Sequence, residues 1–210
     1  ADATVTIDLN GKTIKQSQAQ TGAYSMITNK GTLTIKGNGT IDYADTADLT
    51  ADINYVSNAI QNSGVLTIED ATIINSSTDD VADYGFPHCI DNSGTLTINS
   101  GTFTNKTKYS SIRIWCTTDD DTNVTINGGT FNGCIDFHNV NGNANKGTLT
   151  INNGVFNAEK NAVRLVGFGV DVDELNGYIK GGVFNGNITR SNYVGGEINS
   201  QVFFISGGTF

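Results

Sequence analysis

A five-residue phrase recurs along this chain. It reads Gly-Thr-Leu-Thr-Ile at 31–35, 94–98 and 147–151, and Gly-Val-Leu-Thr-Ile at 64–68. Degenerate copies end at Ile7, Ile126, Ile179 and Ile205, so eight isoleucines stand 28, 33, 30, 28, 25, 28 and 26 residues apart. A second apolar anchor follows each one: Ile14, Ile41, Ile73, Phe103, Phe131, Phe156, Phe184 and Phe210. From Ile73 onward it always follows by five residues. Three copies are preceded by an Ile-x-Asn element: Ile27-Thr28-Asn29, Ile60-Gln61-Asn62 and Ile90-Asp91-Asn92. Such a repeat constrains the fold severely, because a unit this short cannot bury its own apolar face and must stack on its neighbours.

Within the phrase, Leu and Ile alternate with Thr, which gives a strand one apolar and one polar side. Five residues are too few for a helix, and spacing near 3.6 is missing almost throughout. Stacked coils put Leu33, Leu66, Leu96 and Leu149 inside, beside the isoleucines. Each strand then pairs in parallel with its copy about 4.8 Å away. Asn29, Asn62 and Asn92 fall at a turn, where Asn tolerates left-handed backbone and bonds its neighbours through its amide. The pattern predicts an all-β, right-handed, single-stranded parallel β-helix of seven to eight coils, one domain over residues 1–210. Its length at that rise is roughly 35 Å. Coils of 25–33 residues exclude six-residue left-handed helices. The insertions that vary coil length fall at 42–57, 76–86, 117–121, 140–145 and 167–176, and in solenoids such loops often gather on a binding face.

Composition agrees with this reading. The chain holds 25 Gly and 1 Pro among abundant Thr and Asn, a mix that suits pleats and tight turns and not helices. A net charge of −9, without clustered Lys or Arg, argues against nucleic acid and anionic membrane as partners. No run approaches the roughly 18 apolar residues of a membrane span. Cys89, Cys116 and Cys134 show no metal-type spacing, and their odd number leaves at least one unpaired. They read as small buried or strand-surface thiols. The chain starts with a strand under way at Val5-Thr6-Ile7 and stops at the anchor Phe210, so it reads as a fragment cut at both ends.

The stretches 92–103 and 5–14 resemble the right-handed β-helix repeats of large bacterial surface proteins and of phage fibres and tailspikes. The resemblance implies an extracellular, cell-surface or virion location and a structural or adhesive rod. It implies a cell-surface glycan or protein receptor as partner, and a homotrimer or larger assembly. A polysaccharide-degrading depolymerase of tailspike type is the alternative. The Gly-His-Gly and paired-Asp motifs of β-helix polygalacturonases are absent, however, and His88 and His138 lack such a setting.

One outer strip is rich in chemistry. In Ile112-Arg113-Ile114-Trp115 the isoleucines face in, so Arg113 and Trp115 face out. By the same alternation Asp136 and His138, Arg164, and Asp91 face out from their strands. In register, Asp91, Arg113, Asp136 and Arg164 form one column, with Trp115 and His138 alongside. An aromatic ring among carboxylates and guanidinium groups suits a sugar. Alternating charges on stacked strands also suit a plain structural ladder. Asp119, Asp120 and Asp121 offer consecutive carboxylates to Ca2+, though acids in a turn are more often simply solvated. Asp171, Asp173 and Glu174 form a weaker cluster of the same kind. No other cofactor is implied. Thr-x-Thr pairs at 4/6, 32/34, 95/97 and 148/150 resemble those of ice-binding solenoids, but Val65, Asn123, Asn176, Tyr178, Val202 and Phe204 interrupt the array.

Overall fold

The computed structural model describes residues 3–16, 24–44, 57–77, 87–107, 109–116, 122–139, 147–167, 175–192 and 201–210. All of its regular elements are strands, and all strand pairs are parallel. The fold is a parallel β-solenoid.

The first ladder has eight strands: Thr4–Asp8, Thr32–Lys36, Val65–Ile68, Thr95–Ile98, Thr122–Ile126, Gly147–Ile151, Leu175–Ile179 and Gln201–Ile205. Its register places the eight isoleucines of the repeat in a single row, Ile7 to Ile205. Leu33, Leu66, Leu96, Val124 and Leu149 form the row beside them, buried like the central isoleucines. At Gly177 that row loses its side chain, and the Phe203 ring of the next coil occupies the space a Cβ would need. The phrase-opening glycines serve close approach: a Cβ on Gly64 or Gly94 would collide with the carbonyl of the glycine one coil earlier.

The second ladder carries the other anchors. Its strands begin at Thr13–Lys15 and continue through Gly39–Tyr43, Ala71–Asn75, Thr102–Asn105 and Thr130–Asn132. The third holds Tyr24–Asn29, Ser57–Asn62, His88–Asn92, Ile112–Cys116 and Ile135–Asn139. Strand Val155–Gly167 turns the corner without a break and belongs to both ladders, joining them into one 12-stranded sheet, and Val183–Asn192 pairs along it.

Anchor stacking is direct. Phe103, Phe131, Phe156, Phe184 and Phe210 stack face to face, with centroids 4.9, 4.8, 4.7 and 5.2 Å apart and planes within 9° of parallel. That separation equals the coil rise, so one Phe per coil forms an offset-stacked column. On the third ladder Ile27, Ile60, Ile90, Ile112, Ile135, Val163 and Ile188 align in one row. The Asn ladder forms as expected: Asn29 Nδ2 donates to Asn62 Oδ1 at 2.7 Å, and Asn62 Nδ2 to Asn92 Oδ1 at 2.6 Å. It stops there because Ile114 holds the next position and Phe137 the one after. In those coils the third strand extends two residues past this position, to Cys116 and Asn139.

Candidate functional site: a charged column on the third ladder

The expected column exists in register. Arg113 lies between Asp91 and Asp136, and Arg164 follows Asp136. Trp115 aligns with His138. Alternation along each strand puts Ile112, Ile114, Ile135 and Phe137 into the core and these side chains on the opposite side.

Their state differs from an open binding face. Asp91, Asp136 and His138 are only 8%, 7% and 8% exposed. The side chains lie along the sheet and cover one another. Arg113 donates to both oxygens of Asp91, Nε to Oδ1 at 2.9 Å and Nη2 to Oδ2 at 2.7 Å. Arg164 grips Asp136 in the same two-pronged way, at 2.7 and 2.9 Å. The column therefore resolves into two fork-shaped ion pairs, each joining neighbouring coils. Arg113 also sits over the Trp115 ring, 5.0 Å from its centroid, and that ring lies 5.2 Å from His138 at a 38° tilt. His138 Nε2 is 3.8 Å from Asp136 Oδ2.

This geometry limits the chemistry. Burial opposes ionisation of Asp136, but hydrogen bonding and charge from His138 and Arg164 outweigh it and hold its carboxyl well below the usual carboxylate range. Asp136 is thus a fixed anion with both oxygens engaged. Glycoside hydrolysis needs one carboxyl that is protonated and able to give that proton away, and Asp136 cannot fill that role. Cys89 and Cys134 stay protonated: burial pushes the Cys89 thiol up to about 12, and burial with the adjacent Asp136 charge raises Cys134. All three cysteines are free thiols, Cys89 and Cys116 buried and Cys134 partly so.

Sequence reasoning set His88 aside as lacking a catalytic setting and did not mark the corner beside it. His88 is buried at the start of its strand, with Nδ1 2.8 Å from Ser110 Oγ and 3.1 Å from the Ser110 carbonyl oxygen. Burial, reinforced by the charge of Arg113, lowers its pKa to about 4. Two further amide rows were also missed. Asn127 donates to Asn99 and Asn152 to Asn127, while Asn157 donates to Asn132 and Asn185 to Asn157. Their signal was present, since an Asn directly follows the anchor Ile or Phe in each of these coils.

Among the described residues no three His, Cys, Asp or Glu side chains converge as a metal-holding group. Asp119, Asp120 and Asp121, the candidate Ca2+ ligands, lie outside the described residues, as do Asp171, Asp173 and Glu174. Comparison with protein-family models, curated proteins and solved structures found no match to this chain.

Proposed function

We propose that this chain is a structural and adhesive rod of an extracellular or virion surface protein, presenting its corners and one outer face to a glycan or protein receptor. The observation that carries the reading is the continuity of the stack. One isoleucine row runs through the eight strands of the first ladder, and one Phe column through the last five anchors. Such a stack resists bending because every coil shares its hydrogen bonds and anchors with both neighbours. The Asp–Arg forks add cross-coil ties, and the net charge of −9 favours solubility of an extended surface. Trp115 remains half-exposed beside Arg113 and offers a ring to a sugar face or a partner side chain.

The test is a glycan-array screen of the purified chain, with reducing-end assays on every hit. Binding without new reducing ends is the expected result. New reducing ends or unsaturated products, abolished in Asp136→Asn, would replace the adhesive reading with a depolymerase.

A further inference from the structure

The corner between the second and third ladders changes length from coil to coil. Three residues (132–134) separate Phe131 from Ile135, against eight (104–111) in the coil before and six (157–162) in the coil after. The anchors on either side nevertheless hold register. Described residues of the longer corners flank the short one, Asn105, Thr107, Tyr109 and Ser110 on one side and Ala158, Glu159, Lys160 and Asn161 on the other. What remains between them is a groove of about 600 Å³ crossing three coils.

Its floor is the short corner. Gly133 sits there at φ 138°, and a Cβ on it would collide with the buried Ser111 hydroxyl. Asn132 and Asn157 line the groove one coil apart, about 4.8 Å. Asn132 Nδ2 donates to Thr104 Oγ1 and Asn157 Nδ2 to Asn132 Oδ1, both at 3.0 Å. Asn157 Oδ1 accepts from Asn185 at 2.9 Å. Each amide thus uses one N–H and one lone pair in the row and keeps the other of each for a ligand. Asn161 adds an uncommitted amide on the far wall, and Tyr109 contributes a ring to the near one. The charges cancel. Asp136 and Arg164 are paired with each other, and Glu159 and Lys160 stand exposed side by side.

A groove without net sign gives no advantage to an anionic or cationic ligand. Evenly spaced donors and acceptors with an aromatic wall match a chain of hydroxyl-bearing rings. We propose that this groove binds a short neutral oligosaccharide laid along the rod axis, across the coils of Phe103, Phe131 and Phe156. The proposal rests on the adhesive reading above, and it moves the sugar from the Trp115 face to the corner.

Calorimetric titration with neutral glucan, galactan, mannan and chitin tetrasaccharides, and with a galacturonate tetrasaccharide, tests it. At least one neutral ligand should bind. Asn161→Trp, which fills the groove from a half-exposed position, should weaken it at least tenfold while the thermal melt stays unchanged. Glu159→Lys, which leaves the groove positive, should shift preference toward galacturonate. Binding retained in Asn161→Trp but lost in Trp115→Ala would overturn the groove and leave the adhesive rod standing. A wild-type preference for galacturonate would overturn the neutral class. If no tetrasaccharide binds, the groove proposal fails, and the adhesive reading is judged separately on the full array.

Discussion

Folding carries His88 from water to a buried site against Ser110, with the Tyr109 ring edge-on at 6.3 Å. The unfolded chain takes up a proton near pH 6.5, whereas the folded chain resists it until about pH 4. Within that window the unfolded state binds more protons, so stability is full above it and falls as pH drops. The whole loss is on the order of 3 kcal/mol. Asp136 acts in a lower range. Its depressed pKa contributes stability above the ordinary carboxylate value, and that contribution fades only in stronger acid. Urea denaturation at pH 7 and pH 4.5 should therefore show a clear fall in stability for the native chain. His88→Gln should lose most of that fall. An equal fall in both proteins would mean that other groups carry the pH dependence.

At the level of elements, the amide rows differ in value because they differ in burial. Asn62 is fully buried and donates to Asn92 Oδ1, to the Gly64 carbonyl at 3.3 Å and to the Thr95 carbonyl at 3.1 Å, while accepting from Asn29. Alanine there strands several of these groups away from water, at a cost of about 2–3 kcal/mol. Asn127 sits in an exposed row, where water replaces the lost amide, and Asn127→Ala should cost under about 1 kcal/mol. Denaturation midpoints of the two variants check the contrast, and equal losses would refute the burial argument. The Ile-x-Asn element announced the first of these rows. The same element announced the row's end, because the next copy has Ile114 where the Asn would stand.

For the whole molecule, stability is passed from coil to coil. Ile98 is fully buried and pairs with Ile68 on one side and Ile126 on the other. An aspartate there would place an unpaired charge between two coils, and no neighbour can cover it. In a quasi-one-dimensional stack the damage spreads to adjacent coils. Ile98→Asp should abolish the single melting transition and speed amide exchange from Val65 to Ile126. A circular dichroism melt unchanged from the native chain would sink the inward assignment.

The amino-acid sequence by itself determined the solenoid, its ladder register and its inward rows. A repeated apolar residue lowers the free energy only when its copies lie at the same place on successive coils, so Ile98 must meet Ile68 and Ile126. It also placed Asp91, Arg113, Asp136 and Arg164 in one column, because strand alternation has a period of two and admits no other face. Only the tertiary structure decided which partners those charges took. Arg113 stands between two aspartates, and its guanidinium closes on Asp91 while Arg164 closes on Asp136, a choice set by side-chain geometry across coils. Burial of Asp136, His138 and His88 was decided there too, because it depends on side chains of adjacent coils covering one another. The groove belongs to both levels: its cause is written in unequal corner lengths, but its shape and lining exist only once three corners are stacked.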